Sequence, residues 1–228
     1  MIGIIGAMDI EVDILKGHMM GPVKETVSGV DFVRGLLFGH EAVVAKCGIG
    51  KVFAALCTEA MIIKYSPDLI INTGVAGSLS DKLSTMDVAI AKAVVQHDFD
   101  TSPLGDEKGF VSGLGSVEIE ADHALGLAVE GIIRGFGINC EYGVIASGDQ
   151  FISSSEKKKE IVSLFSAVAC EMEGAAIGHV CKVNKTPFTV IRSISDSADG
   201  SSEMDYSSFA PKAAAQSAKI VESFIMSI

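Results

Sequence analysis

Basic side chains are scarce in this sequence, and arginine most of all. The 228 residues include 18 lysines and arginines against 29 aspartates and glutamates, which gives a formal net charge of −11. Arginine occurs only as Arg34, Arg134 and Arg192. Nucleic acids and anionic membranes attract basic surfaces, so we expect neither as a partner. A site that clamps phosphate with several guanidinium groups is also hard to assemble. A neutral or cationic small molecule is the better candidate.

Cysteine is present without a metal-binding or redox pattern. The five cysteines are Cys47, Cys57, Cys140, Cys170 and Cys181, and no two have C-x-x-C spacing. We interpret them as small buried hydrophobic residues in a reducing compartment. The sequence also lacks a basic, apolar leader with a cleavage site and any apolar run of membrane-spanning length. We therefore expect a soluble, cytoplasmic protein.

Short apolar runs alternate with amphipathic segments along the whole chain, a pattern typical of strands covered by helices. The chain is long enough for one α/β domain, predicted over residues 1–228. The predicted strands are 2–5, 32–38, 42–46, 68–72, 87–96, 142–147, 167–170 and 188–195. Helices are predicted at 9–15, 51–65, around 156–160 after a cap at 153–155, from Gly174 and over 207–228. The segments 73–78, 98–117 and 196–206 are predicted to be loops. The hairpin at 32–46 predicts a mixed sheet.

Several familiar catalytic motifs are absent. The first strand continues as Gly3-Ile4-Ile5-Gly6-Ala7-Met8, which lacks the G-x-G-x-x-G spacing of dinucleotide sites. There is no phosphate-binding loop, no G-x-S-x-G nucleophile elbow and no helical histidine pair for zinc. His97 with Asp98 and Asp100 could ligate a metal, although a single loop histidine is more often a hydrogen-bonding residue. We expect no cofactor and no metal, which leaves carboxylate chemistry.

Two acids stand in the apolar, small-residue run Val168-Ala169-Cys170-Glu171-Met172-Glu173-Gly174-Ala175-Ala176. An unpaired buried carboxylate costs several kcal/mol, roughly, so a sequence that keeps two commonly uses at least one. If residues 170–173 are extended, both acids share a face and Met172 lies opposite. The alternative is structural: Glu171 pairs with an arginine or lysine, and Glu173 is a first-turn acid of the following helix.

Polar residues recur where predicted strands end. They are Glu11, the 74–78 segment, Ser147-Gly148-Asp149-Gln150-Phe151-Ile152, Glu171 to Glu173 and Ser193-Ile194-Ser195-Asp196. Taken singly, each has a structural explanation such as a helix cap, a turn former or a core aromatic. Because ligands bind at the carboxyl ends of strands in α/β sheets, their convergence predicts one site.

Together these motifs give a specific resemblance. The ordered set Gly3 to Met8 with Glu11, Gly48-Ile49-Gly50-Lys51, Asn72-Thr73-Gly74-x-Ala76-Gly77, Ser147 to Ile152, Glu171-Met172-Glu173 and Arg192-x-Ile194-Ser195-Asp196 covers essentially the whole chain. It resembles the 5′-methylthioadenosine/S-adenosylhomocysteine nucleosidases of the purine nucleoside phosphorylase and nucleosidase superfamily. The resemblance implies a three-layer α/β sandwich around a central mixed sheet, commonly as a homodimer, with a nucleoside substrate.

The resemblance also implies a role for each residue. Asp196 would be the general acid that protonates N7 of adenine, and Glu11 would hold and deprotonate the attacking water. Arg192 would position the water and nearby carboxylates. Glu173 and the Met172 backbone would bind the ribose hydroxyls. Phe151 would stack on adenine while the Ile152 backbone reads its edge. Further residues expected at the substrate are Ile49, Ala76, Gly77, Ser195, Ala198, Tyr206 and Glu171. Glu171 could instead be a support tied to Arg192 or a structural partner.

The chemistry agrees with this resemblance, because breaking a purine N-glycosidic bond develops positive charge on the sugar that carboxylates stabilise. Three positions depart from the family pattern. Val75 and Cys47 stand where serine is frequent, and Tyr206 stands where a phenylalanine often closes the pocket. The alternatives are a futalosine-type hydrolase, a phosphorylase and a non-catalytic nucleoside-binding relative. A phosphorylase fits less well because Glu11 would repel phosphate.

Overall fold

The computed structural model describes residues 1–200 and 202–228. Within them, ten strands form one mixed sheet. The strands are β1 (Ile2–Gly6), β2 (Met20–Val27), β3 (Val30–Leu37), β4 (His40–Lys46), β5 (Leu69–Ser78), β6 (Val88–Gln96), β7 (Ile119–Glu120), β8 (Cys140–Ser147), β9 (Ala167–Glu171) and β10 (Phe188–Asp196). The α-helices are α1 (Asp9–Gly17), α2 (Lys51–Tyr65), α3 (His123–Gly135), α4 (Ser155–Phe165), α5 (Gly174–Asn184) and α6 (Ser202–Ser227).

The sheet order is β10-β6-β8-β9-β5-β1-β4-β3-β2, with β7 paired to β6 and a further pairing of β10 with β5. That extra pairing closes β10, β6, β8, β9 and β5 into a ring. Residues alternate between two cores: Ile5 and Ile70 belong to one, Ile4 and Ile71 to the other. Helices α2 and α5 pack together, and α6 contacts α1 and α3. The predicted α/β architecture with a mixed central sheet is confirmed.

The carboxyl ends of several strands meet at one place. Strands β1, β4, β5 and β10 are parallel, so their ends share one edge. Strand β9 pairs antiparallel with β5 only through the last residues of β5, Gly77 and Ser78. Its own end at Glu171, and that of β8 at Ser147, therefore lie beside the end of β5. This convergence positions the site described below.

The prediction of a loop at 73–78 is wrong. This segment continues β5, because β10 pairs with it from Thr73 to Gly77 and β9 pairs with Gly77 and Ser78. Strand β10 pairs along this segment, β9 joins at its end, and the Val75 N–H donates to Glu11, so the glycines do not interrupt the strand. They serve close packing instead: a Cβ at Gly74 would lie 2.6 Å from Arg192 Nη1.

The predicted loop over 196–206 is also too long. Strand β10 includes Asp196, and α6 begins at Ser202 rather than at the predicted Ser207. The Ser202 hydroxyl accepts the Asp199 N–H at 2.6 Å, which stabilises an earlier helix start. Ser201, inside that predicted loop, lies outside the described residues.

Strands β2 and β7 and helix α3 were not predicted. Strand β2 is an edge strand whose residues are mostly exposed and include Gly21 and Pro22, so its sequence lacks apolar alternation. Helix α3 begins after the N-cap residue Asp122, whose side chain accepts a hydrogen bond from the Leu125 N–H. The predicted strands and helices elsewhere agree with the structure to within a few residues. The 98–117 loop contains a short 3₁₀ helix, Ser102–Leu104, and one bridge between Val111 and Ser116.

Candidate active site

A cavity of about 320 Å³ lies where the strand ends converge. Its volume is in the range of small-molecule sites. It is lined by Ala7, Met8, Glu11, Ile49, Val75, Ala76, Gly77, Phe151, Cys170, Glu171, Met172, Glu173, Ser195, Asp196 and Tyr206. All the carboxylates and most of the other residues predicted to contact substrate are in this set. Arg192, Ile152 and Ala198 are not: Ile152 lines a smaller adjoining pocket, and the other two lie behind the wall.

Glu11 is held by backbone N–H groups from the two residues before its helix and from β5. Its Oε2 accepts hydrogen bonds from Ala7 N at 2.7 Å and Met8 N at 3.0 Å, and its Oε1 accepts one from Val75 N at 3.1 Å. Burial raises the pKa of Glu11, while Arg192 and these N–H groups act in the opposite direction. A fixed, desolvated carboxylate of this kind can accept a proton from water.

Asp196, the last residue of β10, lies in another part of the wall. Its Oδ2 accepts from the Ser195 hydroxyl at 2.8 Å, and its Oδ1 accepts from Ala198 N at 2.9 Å. Ala198 adopts a left-handed backbone, φ 51°, which turns its N–H back onto the carboxylate. The two bonds fix the orientation of Asp196. Ala198, behind the wall, and Ser195, in the lining, therefore both hold this side chain.

Arg192 and Glu171 form a fully buried ion pair. The guanidinium Nη2 donates to Glu171 Oε2 at 2.5 Å and to Asn72 Oδ1 at 2.7 Å. Glu171 also accepts from the Ser147 hydroxyl. Burial opposes both charges, yet the pKa of Arg192 is raised by Glu171, Glu173 and Glu11, and the pKa of Glu171 is lowered chiefly by Arg192. Glu171 is therefore ionised and supports Arg192.

Glu173 has a different environment. Strand β9 ends at Glu171, so the extended pattern does not reach Glu173, and Met172 lines the cavity instead of facing away. Glu173 Oε1 accepts from Gly50 N at 2.9 Å, and its Oε2 lies 3.7 Å from Arg192 Nη2. Burial and the neighbouring Glu171 raise the pKa of Glu173 to about 8. Of the two acids, Glu173 is the one with a proton near neutral pH.

The structural alternative is correct for Glu171, which pairs with Arg192, but the helix-start role expected of Glu173 belongs to Glu171 as well. The side chain of Glu173 makes no capping bond to α5. Glu171 does, because its Oε2 accepts from Glu173 N at 2.9 Å and Gly174 N at 2.7 Å. Glu171 therefore combines two structural tasks, holding Arg192 and starting α5. Glu173 is left facing the cavity.

The aromatic side of the cavity consists of Phe151 and Tyr206. Their rings are 5.6 Å apart, edge to face, at 82°. Phe151 is 47% exposed, so its ring has a free face for a planar ligand. The Tyr206 hydroxyl donates to Met8 Sδ at 3.3 Å.

The phosphorylase superfamily model matches residues 1–226. The chain belongs to the phosphorylase superfamily. It is 40% identical over 226 residues to the 5′-methylthioadenosine/S-adenosylhomocysteine nucleosidase of Staphylococcus aureus strain MRSA252, covering 99% of each chain. The nucleosidase of Neisseria meningitidis, solved with methylthio-immucillin-A, superposes with a TM-score of 0.96 at 37% identity, covering 100% of this chain and 99% of that one. The futalosine hydrolase of Helicobacter pylori superposes at 0.95 and 37%, covering 100% and 97%.

In this superfamily member, the three departures from the family pattern leave the carboxylates in place. Val75 lines the cavity and still donates its backbone N–H to Glu11. Cys47 is buried outside the cavity lining, and burial raises the pKa of its thiol far above the usual range. Tyr206 keeps an aromatic ring beside Phe151.

The acids near His97 do not converge on it. Asp98 is bonded to Lys51 and to Asp149 N, and Asp100 accepts from Ser102 N. Neither ring nitrogen of His97 has a hydrogen-bond partner among the described residues. No cluster of three potential metal ligands occurs in the described ranges either. Across 1–200 and 202–228, no helix is long and apolar enough to cross a membrane.

Sequence reasoning missed residues that act through others. Asn72 and Ser147 were recognised only as motif positions, yet their side chains fix Arg192 and Glu171. Met8, Ala7 and Cys170 line the cavity without having been predicted to do so. Their position in the sequence could have indicated them, because all five lie in or directly after strands that end at the site.

Proposed function

We propose that this chain is a nucleosidase that hydrolyses the N-glycosidic bond of 5′-methylthioadenosine and S-adenosylhomocysteine, releasing adenine. The observation that carries the proposal is the placement of Glu11, Glu173 and Asp196 around one cavity beside an exposed aromatic face. A relative that is 40% identical over 99% of its length is named as a nucleosidase for these two substrates, which supports the proposal.

Each residue has a proposed task. Phe151 stacks on adenine and the Ile152 backbone binds its edge, which brings N7 to Asp196 for protonation. Glu173 and Met172 bind the ribose hydroxyls. As the bond breaks, positive charge on the sugar is stabilised by the surrounding carboxylates. Glu11, steadied by Arg192, takes the proton from the attacking water.

Water is favoured over phosphate as the nucleophile. A phosphate beside Glu11 would be repelled by that carboxylate, and Arg192 is already committed to Glu171 and Asn72. Incubation of the purified protein with 5′-methylthioadenosine, with and without phosphate, tests this directly. We expect adenine and free 5-methylthioribose at a rate that phosphate does not change. A ribose 1-phosphate product, or no turnover, would contradict the proposal.

The residue assignments have their own test. Glu11→Gln and Asp196→Asn should each lower kcat by about 10²–10⁴, the usual range for loss of a catalytic acid or base. Asp13→Asn is the control, because Asp13 lies on the same helix as Glu11 but faces solvent. Near-normal kcat in either cavity variant would mean that the role is misassigned.

A futalosine-type hydrolase is the second candidate, supported by the structural similarity to the Helicobacter pylori enzyme of that name. Both reactions would use the same carboxylates, so the difference lies at the 5′ substituent. Comparing kcat/KM for 5′-methylthioadenosine, S-adenosylhomocysteine and futalosine ranks the substrates. A much higher value for futalosine would replace the first proposal.

We further propose that residues 1–228 form a single domain. Two copies of this domain would associate as a homodimer that acts in the cytoplasm. Helix α2, which begins beside the cavity, exposes a row of large apolar side chains: Val52, Phe53, Leu56 and Ile63. Exposed apolar surface of this kind is typical of protein interfaces. Sedimentation analysis should give twice the chain mass of 23.8 kDa. A Val52→Lys variant should shift the population to monomer, and a wild-type monomer at micromolar concentration would contradict the dimer.

A further inference from the structure

Three charged residues outside the cavity bond to one another in a closed cycle. Lys51 Nζ donates to Asp98 Oδ1 at 2.6 Å, Asp149 N donates to Asp98 Oδ2 at 2.9 Å, and Lys51 N donates to Asp149 Oδ1 at 2.7 Å. These residues come from three segments: the start of α2, the chain after β6, and the loop after β8. The cycle therefore ties together segments that are distant in sequence.

The cycle adjoins the contact that orients Glu173. Gly50, the residue before Lys51, donates its N–H to Glu173 Oε1 at 2.9 Å. Asp149 packs directly against Gly50, since a Cβ there would lie 3.0 Å from Asp149 Oδ1. A shift of Lys51 or Asp149 would move the Gly50 N–H, and with it the Glu173 carboxylate.

The ion pair in the cycle is shielded enough to hold a fixed geometry. The side chains of Lys51 and Asp98 are each only 16% exposed. Burial opposes ionisation of Asp98, but Lys51 and the Asp149 N–H together lower its pKa, so the pair is charged at neutral pH. None of the three side chains lines the cavity, so any effect on a ligand must pass through the backbone.

We propose that Lys51, Asp98 and Asp149 form a latch whose function is to position Glu173, through the Gly50 N–H, for binding the ribose hydroxyls. Asp149 also lies in the loop that carries Phe151 and Ile152, so the same latch fixes the base-binding side relative to the sugar-binding side. The inference rests on the proposed function, in which Glu173 is the ribose ligand. These three are positioning residues and do not touch substrate.

Two substitutions open the latch with little change in shape. Lys51→Met removes the charge, and Asp98→Asn weakens the ion pair while keeping an acceptor for Asp149 N. Lys51→Arg restores the charge and serves as the rescue. Asp31→Asn is the matched control, because it breaks an ion pair of similar length, Lys24–Asp31 at 2.7 Å, on the β2–β3 hairpin.

The readout is the ratio of kcat/KM for 5′-methylthioadenosine to that for its 2′-deoxy counterpart. The intrinsic reactivity of the deoxy sugar is the same in every variant, so it cancels when ratios are compared. We expect Lys51→Met and Asp98→Asn to lower the ratio by about tenfold, the upper range for loss of one hydrogen bond. Lys51→Arg should recover most of it, and Asp31→Asn should leave it unchanged. Equal losses on both substrates would make the latch merely structural and overturn the proposal.

Failure of the proposed function would be recognised separately, because the wild-type protein would then turn over neither substrate. In that case the rate of amide hydrogen exchange at Gly50 tests whether the latch holds the Gly50 N–H in place. Faster exchange in Lys51→Met than in Asp31→Asn would support the control of Gly50 by the latch. Equal exchange in the two variants would overturn it.

Discussion

Replacing Glu171 with glutamine breaks the buried ion pair on which the site is built. Glutamine keeps the shape of the side chain and one oxygen that can accept from Arg192, Glu173 N and Gly174 N. It loses the charge, and its amide nitrogen would face the Ser147 hydroxyl that now donates to Glu171. The Ser147 hydroxyl must then turn, because its oxygen already accepts from Ala175 N.

The magnitude follows from burial. Arg192 and Glu171 have side chains that are 1% and 2% exposed, and removing one partner of such a pair costs about 3–5 kcal/mol. Two effects favour the lower end. Arg192 keeps Glu173 at 3.7 Å, and the repulsion between Glu171 and Glu173 disappears. We expect a loss of about 3 kcal/mol, which lowers Tm by about 6–12 °C in a chain of this size.

Differential scanning calorimetry at pH 7 measures this change. Glu130→Gln is the control, since it breaks an arginine–glutamate pair at 2.7 Å that lies on the surface of α3. It should change Tm very little. A Glu171→Gln variant whose Tm stays within about 2 °C of wild type would refute the reasoning, because the buried charge of Arg192 would then need no carboxylate at Glu171.

Three further predictions use the same cavity. The pKa of Glu173 is about 8 in the folded protein, whereas the ordinary pKa of a glutamate is 4.5. Between these two pH values the folded protein holds a proton that the unfolded chain has released, so the free energy of unfolding should fall as the pH rises from 4.5 to about 8. In Glu173→Gln, Tm should fall less between pH 5 and about 8, and equal slopes would contradict the assignment. Gly74→Ala places a methyl group against Glu11 and should lower kcat by about 10² or more. Gly131→Ala is the control, because a methyl group there lies in open space on α3; this variant should keep full activity and gain up to about 1 kcal/mol of stability. Tyr206→Phe keeps the ring and loses only the bond to Met8, so its kcat/KM should stay within about threefold of wild type.

Most of the fold follows from local patterns that the sequence displays. Helix α2 was predicted with the bounds that it has, because Gly50 precedes it and Ser66-Pro67 follows it. The segment Thr73 to Ser78 could not be assigned in this way. Its glycines resemble those of a loop, and only the pairing of β5 with β9 and β10 makes it a strand. That pairing joins residues more than 90 positions apart in sequence.

The candidate site shows the same division. Glu171 and Glu173 were predicted because an acid in an apolar run is costly without a task, and Glu11 and Asp196 because they follow strand ends and match the family motifs. The resemblance assigned Glu173 to the ribose but left the role of Glu171 open, since that role depends on Arg192 and Ser147, from two other strands. The residues that hold Arg192 and Glu171 in place were harder still to predict. Asn72 has an ordinary place in a strand sequence, and only its contact with Arg192 distinguishes it.

The charges around the cavity explain why we propose water rather than phosphate as the nucleophile. Glu11, Glu171, Glu173 and Asp196 all line it, and Arg192 is the guanidinium that contacts this set. A proton on Glu173 reduces the negative charge without removing it. A sugar that gains positive charge in the transition state is stabilised in this field, and neutral water can approach it without cost. A phosphate dianion would be repelled by the same carboxylates, so the excess of carboxylates favours hydrolysis over phosphorolysis.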